Sequence, residues 1–327
     1  MKPKVLITRR LSQAVMDMLN DNFALSVNPH ERVMTREEFL AAARGMEGIL
    51  PLLTERIDGE ALDAAGPQLR IVANHAVGYN NIDVHAATAR GVAITNTPDV
   101  LTDTTADLAL ALMLAVTRRV PEGDRLCRGG RFPEWNPQFM LGADVHHKTL
   151  GLIGLGRVGR AVAKRAAGFG MRLIYAPHGE CPAGGVDPVC GAKCLSLDEV
   201  LAQADFLSLH VPLTEETHHL LGAVELARMK PSAFLINTAR GPVVDEQALV
   251  EALTSGRLAG AGLDVFENEP LIHPGLVGLG NVVLLPHVGS ATVDTRMAMG
   301  IKAATNLAAL LLRGEAPPDC LNPEVLS

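Results

Sequence analysis

At 327 residues the chain is about twice the usual domain length, so two domains with separate cores are expected and a single small module is excluded. A net charge of −7 argues against the gathered positive surface that nucleic-acid binding needs, so small anionic ligands must be held by local groups. Five cysteines (Cys127, Cys181, Cys190, Cys194, Cys320), an odd number, suit reduced thiols in a reducing compartment better than a disulfide framework.

Met1 to Thr8 reads at once as a short strand, without the charged leader, extended apolar stretch or small-residue cleavage site of an export signal, so a cytosolic protein is expected. Short Val/Ile/Leu-rich runs then alternate with Ala/Leu-rich helical stretches, the pattern of parallel sheets wrapped by helices: the class is α/β. Strands are predicted at Val5–Thr8, Gly48–Leu53, Leu69–Ala73 and Val92–Asn96, with helices at Ser12–Leu19 and Arg36–Ala43 among them. A boundary follows at Asn96-Thr97-Pro98-Asp99, where the proline disfavours helix for the residue before it and a long apolar helix begins near Thr104. That helix, apolar from Ala106 to Val116, is too short to span a bilayer.

The second unit is predicted to hold strands at Leu150–Ile153, Arg172–Tyr175, Phe206–His210, Ala233–Asn237, Ala259–Leu263 and Val282–Leu285, before a final helix at Thr292–Leu312. The expected division is residues 1–98 with 288–327 as one discontinuous domain and 99–287 as the other. No repeat of fixed period and no low-complexity tract is found. Arg131 to His147 is a long irregular excursion carrying the only Trp, Trp135, with Phe132, Phe139 and Met140. It reads either as a packed surface loop or, better, as part of a dimerisation arm at about 118–147, because exposed apolar loops tend to mark contacts.

Strand, Gly154-Leu155-Gly156-Arg157-Val158-Gly159, then an Ala/Arg helix is the context in which a glycine turn binds a dinucleotide. Gly154 permits the tight turn, Gly156 lets the backbone approach the pyrophosphate, Gly159 lets helix and strand pack closely, and the helix N-terminus offers N–H donors. An NAD site usually carries an acid about 20 residues on, at the end of the second strand. Here that strand ends Ile174-Tyr175-Ala176-Pro177-His178, so nothing repels a 2′-phosphate and NADP is favoured over NAD, with His178 a candidate partner, although Glu180 lies nearby. His178, Cys181, Cys190 and Cys194 also read as a candidate zinc set, but structural zinc sites favour tight Cys-x2-4-Cys knuckles, and the preferred reading has no metal.

Reduction of a 2-oxo acid needs a cation to hold the carboxylate and polarise the carbonyl, and an acid to protonate the new alkoxide. Arg240 follows Ile236-Asn237-Thr238-Ala239, and His287 follows Leu284-Leu285-Pro286. Glu269, in Asp264-Val265-Phe266-Glu267-Asn268-Glu269-Pro270, is the candidate that orients the imidazole. Singly each has a structural alternative; together, after successive strands of one sheet, they point to one chemistry.

With these motifs the chain resembles the D-isomer-specific 2-hydroxyacid dehydrogenases over essentially its whole length. The resemblance also rests on Asn74-His75-Ala76-Val77-Gly78-Tyr79-Asn80-Asn81-Ile82-Asp83, on Leu209-His210-Val211-Pro212-Leu213-Thr214 and on Pro286-His287-Val288-Gly289-Ser290, while Thr95-Asn96-Thr97-Pro98-Asp99-Val100-Leu101-Thr102 is similar to the glyoxylate and hydroxypyruvate reductase branch. It implies two Rossmann-like domains, a flavodoxin-like substrate domain and a dinucleotide-binding domain, around an interdomain cleft. It implies a homodimer and NAD(P)H-dependent reduction of glyoxylate or hydroxypyruvate, with Arg240, Glu269 and His287 catalytic and His287 the general acid. Backbone N–H groups of Val77 and Gly78 would bind the substrate carboxylate, Leu52 and Leu53 would wall a small substrate, and Phe139 would reach a neighbouring subunit's site. Thr238 and Asp264 would contact the nicotinamide end, Val211, Pro212 and Thr217 would line the ribose side, and Thr105, Arg157, Val158, Pro177, His210, Ala239 and Gly289 would complete the cofactor contacts. The alternatives are a lactate- or phosphoglycerate-type dehydrogenase of the same family, or a dinucleotide-sensing binding protein that keeps the same three residues.

Overall fold

The computed structural model describes residues 1–177 and 179–326, so His178, named above for the cofactor and for the cysteine cluster, lies outside the described residues. The chain divides into two compact units, Met1–Leu101 with Ser290–Ser327, and Thr102–Gly289. Each is an α/β unit on a parallel sheet.

In the first unit β1 (Lys4–Ile7), β2 (Ala24–Val27), β3 (Gly48–Leu50), β4 (Ile71–Ala73) and β5 (Ala93–Thr95) lie in the order β2-β1-β3-β4-β5, every neighbouring pair parallel. Successive strand residues face opposite sides, and the sequence fills both sides with apolar groups, as a parallel sheet covered on two faces requires. Val5, Ile7, Leu50, Ile71 and Ala93 pack with the helices Gln13–Asn22 and Val293–Ala308, whereas Leu6, Ile49, Val72 and Ile94 pack with Arg36–Ala43 and Gly59–Ala65. Each fully buried side chain of this kind contributes roughly 1.5–3 kcal/mol. Helix starts are marked locally: Thr35 and Glu38 form a capping box, and Asp58 accepts from the N–H of Ala61. The chain after Ser290 completes this unit, because Thr95 bridges Cys320 and the Asn322 side chain accepts from Ile94 N at 2.8 Å while donating to Thr88 Oγ1 and Val92 O at 2.9 Å.

In the second unit β6 (Thr149–Ile153), β7 (Arg172–Ala176), β8 (Lys193–Cys194), β9 (Phe206–Leu209), β10 (Phe234–Asn237), β11 (Gly260–Leu263) and β12 (Val282–Leu284) lie in the order β12-β11-β10-β9-β6-β7-β8, again all parallel. The order reverses between β6 and β9, which opens a crevice beyond their carboxyl ends where a ligand fits. The helices Thr102–Thr117 and Arg157–Ala167 cover one face through Ala106, Leu112, Met113, Val162 and Ala166. Among the described residues no helix is long and apolar enough to cross a membrane.

Four sequence expectations are corrected. The edge strands β2 and β8 were not anticipated; both are short, and the former is only half-buried, so neither carries an apolar alternation. The strand expected over Gly48–Leu53 stops at Leu50, because Pro51 has no N–H to continue the ladder. The final helix runs as α-helix over Val293–Ala308 and widens to a π turn at Ala309–Arg313, closed by Gly314 at φ +68°. The expectation of reduced thiols fails for one pair: Cys181 and Cys194 form a disulfide with Cα atoms 5.8 Å apart, because β8 returns alongside β7 and Cys194 N bonds Gly185 O. Two members of the candidate zinc set are thereby tied to each other, and Cys190 Sγ instead donates to Asp187 Oδ1 at 3.3 Å.

Candidate active site

The glycine turn follows β6. Gly154 sits at φ +87°, a left-handed conformation that favours glycine, and a Cβ there would lie 2.8 Å from the His210 carbonyl oxygen after β9. A Cβ on Gly159 would lie 2.5 Å from Gly154 O, so this glycine lets the helix Arg157–Ala167 close on its strand. Gly156, the N-cap, is different: a Cβ there would meet nothing within 4 Å. The open space at Gly156, beside helix N–H groups without intrahelical acceptors, is a cradle that fits a pyrophosphate.

The neighbouring strand ends line the same crevice. His210 Nε2 pairs with Ser208 Oγ at 2.9 Å, and burial pushes its imidazole down to about 4, so it is neutral. Val211 is buried, and Thr217 closes its own turn by donating to Pro212 O at 2.6 Å. Thr238 Oγ1, just past β10, is buried and has no hydrogen-bond partner among the described residues, an orphan suited to a ligand's polar group. Thr105 Oγ1 donates to Gly289 O at 3.1 Å. Ala176 and the half-buried Pro177 end the β7 run with no acid on either, while Arg160 pairs with the buried Asp187 at 2.8 Å.

Past β10, β11 and β12 three ionisable side chains are held on short loops. His287 Nδ1 lies 2.7 Å from Glu269 Oε2, and Glu269 Oε1 accepts from Phe266 N at 3.0 Å. Burial pushes the Glu269 carboxyl up, yet the hydrogen bond and charge of His287 outweigh it, and the net shift is downward. Burial drives the Arg240 guanidinium below its ordinary value, opposed by Glu269. The Arg240 loop is braced by Asn237, whose side chain donates to Arg240 O at 2.9 Å and accepts from Ala239 N at 3.0 Å. His287 itself sits at φ +54° with its N–H on Asp264 O at 2.8 Å. The buried Asp264 carboxylate accepts from Val288 N and Gly289 N, both at 2.7 Å. Asp264 therefore fixes the turn that presents the imidazole, a role not legible in its motif.

In the first unit, Val77 and Gly78 follow β4. Their carbonyls are turned inward onto two amide side chains: Asn96 Nδ2 donates to Val77 O at 2.8 Å and Asn74 Nδ2 to Gly78 O at 3.0 Å. Among the described residues neither N–H of this pair has a hydrogen-bond partner, as an anion nest requires. Leu52 and the exposed Leu53 follow β3 on a loop tied down by the buried Glu55, which accepts from Leu52 N and Thr8 Oγ1, both at 2.8 Å. Phe139 is half-buried on the excursion, where Phe132 and Trp135 are exposed. Glu55, Asn74 and Asn96 were missed as supports, since their partners are mostly backbone atoms.

Residues 110–289 match the model of the D-isomer-specific 2-hydroxyacid dehydrogenase NAD-binding domain. A glyoxylate reductase of Thermococcus onnurineus is 49% identical over 100% of this chain and 98% of its own. Among solved structures, a protein of Thermus thermophilus is 46% identical with a TM-score of 0.89, covering 97% of this chain and 99% of that one. An NADPH-dependent glyoxylate/hydroxypyruvate reductase of Sinorhizobium meliloti, solved with NADP and malonate, is 36% identical with a TM-score of 0.85, covering 98% and 97%. With a glycine turn at the sheet's switch point and an Arg, Glu and His set on its strand ends, the chain belongs to the D-isomer-specific 2-hydroxyacid dehydrogenases, NAD(P)-dependent oxidoreductases.

Proposed function

We propose that the enzyme reduces a small 2-oxo acid, glyoxylate or hydroxypyruvate, to the D-2-hydroxy acid, with His287 as general acid and NADPH as the favoured reductant. The observation that carries this reading is the 2.7 Å pairing of His287 Nδ1 with Glu269. It commits Nδ1 to the carboxylate and leaves Nε2 as the atom that passes a proton to the substrate carbonyl oxygen. Arg240 holds the substrate carboxylate and polarises the carbonyl with a planar donor fork that an ammonium does not reproduce. The first unit, taken by itself, offers the N–H groups of Val77 and Gly78 as a receiver for a carboxylate, and Leu52 and Leu53 favour a small substrate.

The dinucleotide, when bound, supplies the hydride equivalent. Gly154, Gly156, Arg157, Val158 and Gly159 would hold its pyrophosphate, and Thr238 its nicotinamide end. The absence of an acid on Ala176 or Pro177 supports NADPH, since a carboxylate there would repel the 2′-phosphate. Similarity to the Sinorhizobium meliloti NADPH-dependent enzyme, 36% identical, supports it too. The exposed Phe132, Trp135 and Leu141 support a homodimer built through residues 118–147. Steady-state kinetics with glyoxylate and hydroxypyruvate, each against NADH and NADPH, test the reading: turnover of at least one acid with higher kcat/KM for NADPH is expected. Dinucleotide binding with no turnover of either acid would remove it.

A further inference from the structure

A second histidine–carboxylate pair stands on the segment that carries Glu269. His219 Nε2 lies 2.7 Å from Glu267 Oε1. The other oxygen of Glu267 accepts from Glu246 N at 3.3 Å, and Glu246 returns the contact by accepting from Glu267 N at 2.6 Å. His219 is itself held at φ +50°, with its N–H on Pro242 O at 2.7 Å and its ring stacked on His218 at 4.1 Å. The next residues are zipped to the stretch that follows Arg240: Leu221 N bonds Val243 O at 3.1 Å and Asp245 N bonds Leu221 O at 3.0 Å. Gly241, adjoining Arg240, packs so tightly on the Phe266–Glu267 backbone that a Cβ would fall 1.9 Å from Phe266 C.

We propose that His219 and Glu267 are positioning residues, which lock the segment from Phe266 to Glu269 against the Arg240 loop and so keep Arg240 and Glu269 in working alignment. The proposal rests on the catalytic reading above. Its physical reason is charge. Burial raises the Glu246 carboxyl; the Glu267 N–H opposes it, the charges of Glu267 and Glu269 add to it, and His273 acts the other way. Glu269 also faces Arg240, His287 and Asp264. Like-charged carboxylates crowded into one loop repel unless a donor offsets them, and His219 supplies that donor from a separate element. Without it, Glu267 is left against Glu246 with one backbone N–H, and the chain two residues before Glu269 loses its anchor. The same movement would displace Phe266 N, which holds Glu269 Oε1. An exposed ion pair worth little would have no such consequence.

The test compares His219→Ala, His219→Gln and Glu267→Gln with His287→Ala as the control for the catalytic reading. His219→Ala and Glu267→Gln are expected to lower kcat for the 2-oxo acid about tenfold, with NADPH binding held within about twofold, because a small misplacement of reacting groups is costly. His219→Gln, which keeps a donor near the Nε2 position, should recover most of kcat. Should His219→Ala fail to fold, Glu267→Gln carries the same test. Wild-type kcat in Glu267→Gln, with or without a lower melting temperature, would overturn the proposal. Full turnover in His287→Ala would also overturn it, by removing the catalytic reading beneath it; a wild-type Glu267→Gln beside an inactive His287→Ala removes the positioning role alone.

Discussion

The two units present polar groups at the carboxyl ends of their sheets in opposite ways. In Thr102–Gly289 the groups are ionisable side chains, Arg240, Glu269 and His287, with His287 paired to Glu269 and its turn held by the buried Asp264. In Met1–Leu101 they are main-chain N–H groups at Val77 and Gly78, held by the neutral amides of Asn74 and Asn96. On the proposed function, the difference teaches that groups which transfer protons need tunable side chains, whereas a group that only receives an anion is served by peptide dipoles whose charge never changes.

The strongest way to break this comparison is His287→Ala. Turnover should fall by about 10²–10⁴-fold while dinucleotide affinity stays within about twofold, if the side chain moves a proton as proposed. Stopped-flow turnover with a fluorescence titration of dinucleotide reads both quantities; an unchanged kcat would end the division of labour proposed for the units.

The next effect concerns stability in the first unit. His75, beside the Val77–Gly78 loop, is only 4% exposed, its Nδ1 has no partner among the described residues, and burial, with Arg296 adding to it, pushes its imidazole down to about 4. A histidine whose folded value lies below its unfolded one favours folding above the unfolded value and loses that contribution as pH falls toward the folded one. Between pH about 6.5 and about 4 the wild type should therefore lose up to about 3 kcal/mol that His75→Gln does not lose. Urea melts across that range measure it, and parallel curves for the two proteins would show that His75 is not held neutral.

Gly156→Ala sharpens the comparison on the dinucleotide side. Its Cβ meets nothing within 4 Å, so the melting temperature should stay at the wild-type value while dinucleotide affinity drops about tenfold, the cost of one lost close approach. Gly159→Ala, whose Cβ meets Gly154 O at 2.5 Å, should lower both. Calorimetric melting with a binding titration separates them; equal affinity in Gly156→Ala and wild type would leave the cradle empty of purpose. The smallest effect belongs to Asn74→Ala and Asn96→Ala. Each removes a hydrogen bond behind the loop, so KM for the 2-oxo acid should rise about 2- to 10-fold with little change in kcat or in KM for NADPH. A fall in kcat alone would place the substrate carboxylate elsewhere.

Much of the fold is legible in the sequence because buried parallel strands are written as unbroken apolar runs, as at Val5–Ile7 and Ile71–Ala73. The edge strand Ala24–Val27 is not, since half-exposed edges carry no such run. In the site, Arg240, Glu269 and His287 stand out because each lies in the loop that follows a strand run. His219 and Glu267 do not: they are 48 residues apart and meet only because a turn after β9 and a loop after β11 fold together. Asn74 and Asn96 are invisible for another reason, since they bond to carbonyls that any residue would supply. The disulfide follows the same logic. An odd number of cysteines says nothing about which two a returning edge strand will bring together.

The contacts of Asn322 impose an order on how the protein is made. β5 is the outer strand of its sheet, and the chain after Ser290 supplies its last partners: the Thr95–Cys320 bridge and the side chain that satisfies Ile94 N and Val92 O. A ribosome releases residues 1–101 well before Asn322, which lies 228 residues after Ile94, while Thr102–Gly289 emerges between them as one uninterrupted stretch. The second unit can therefore close during synthesis, ahead of the one that precedes it, and the earlier strands wait with an open edge until Asn322 has emerged.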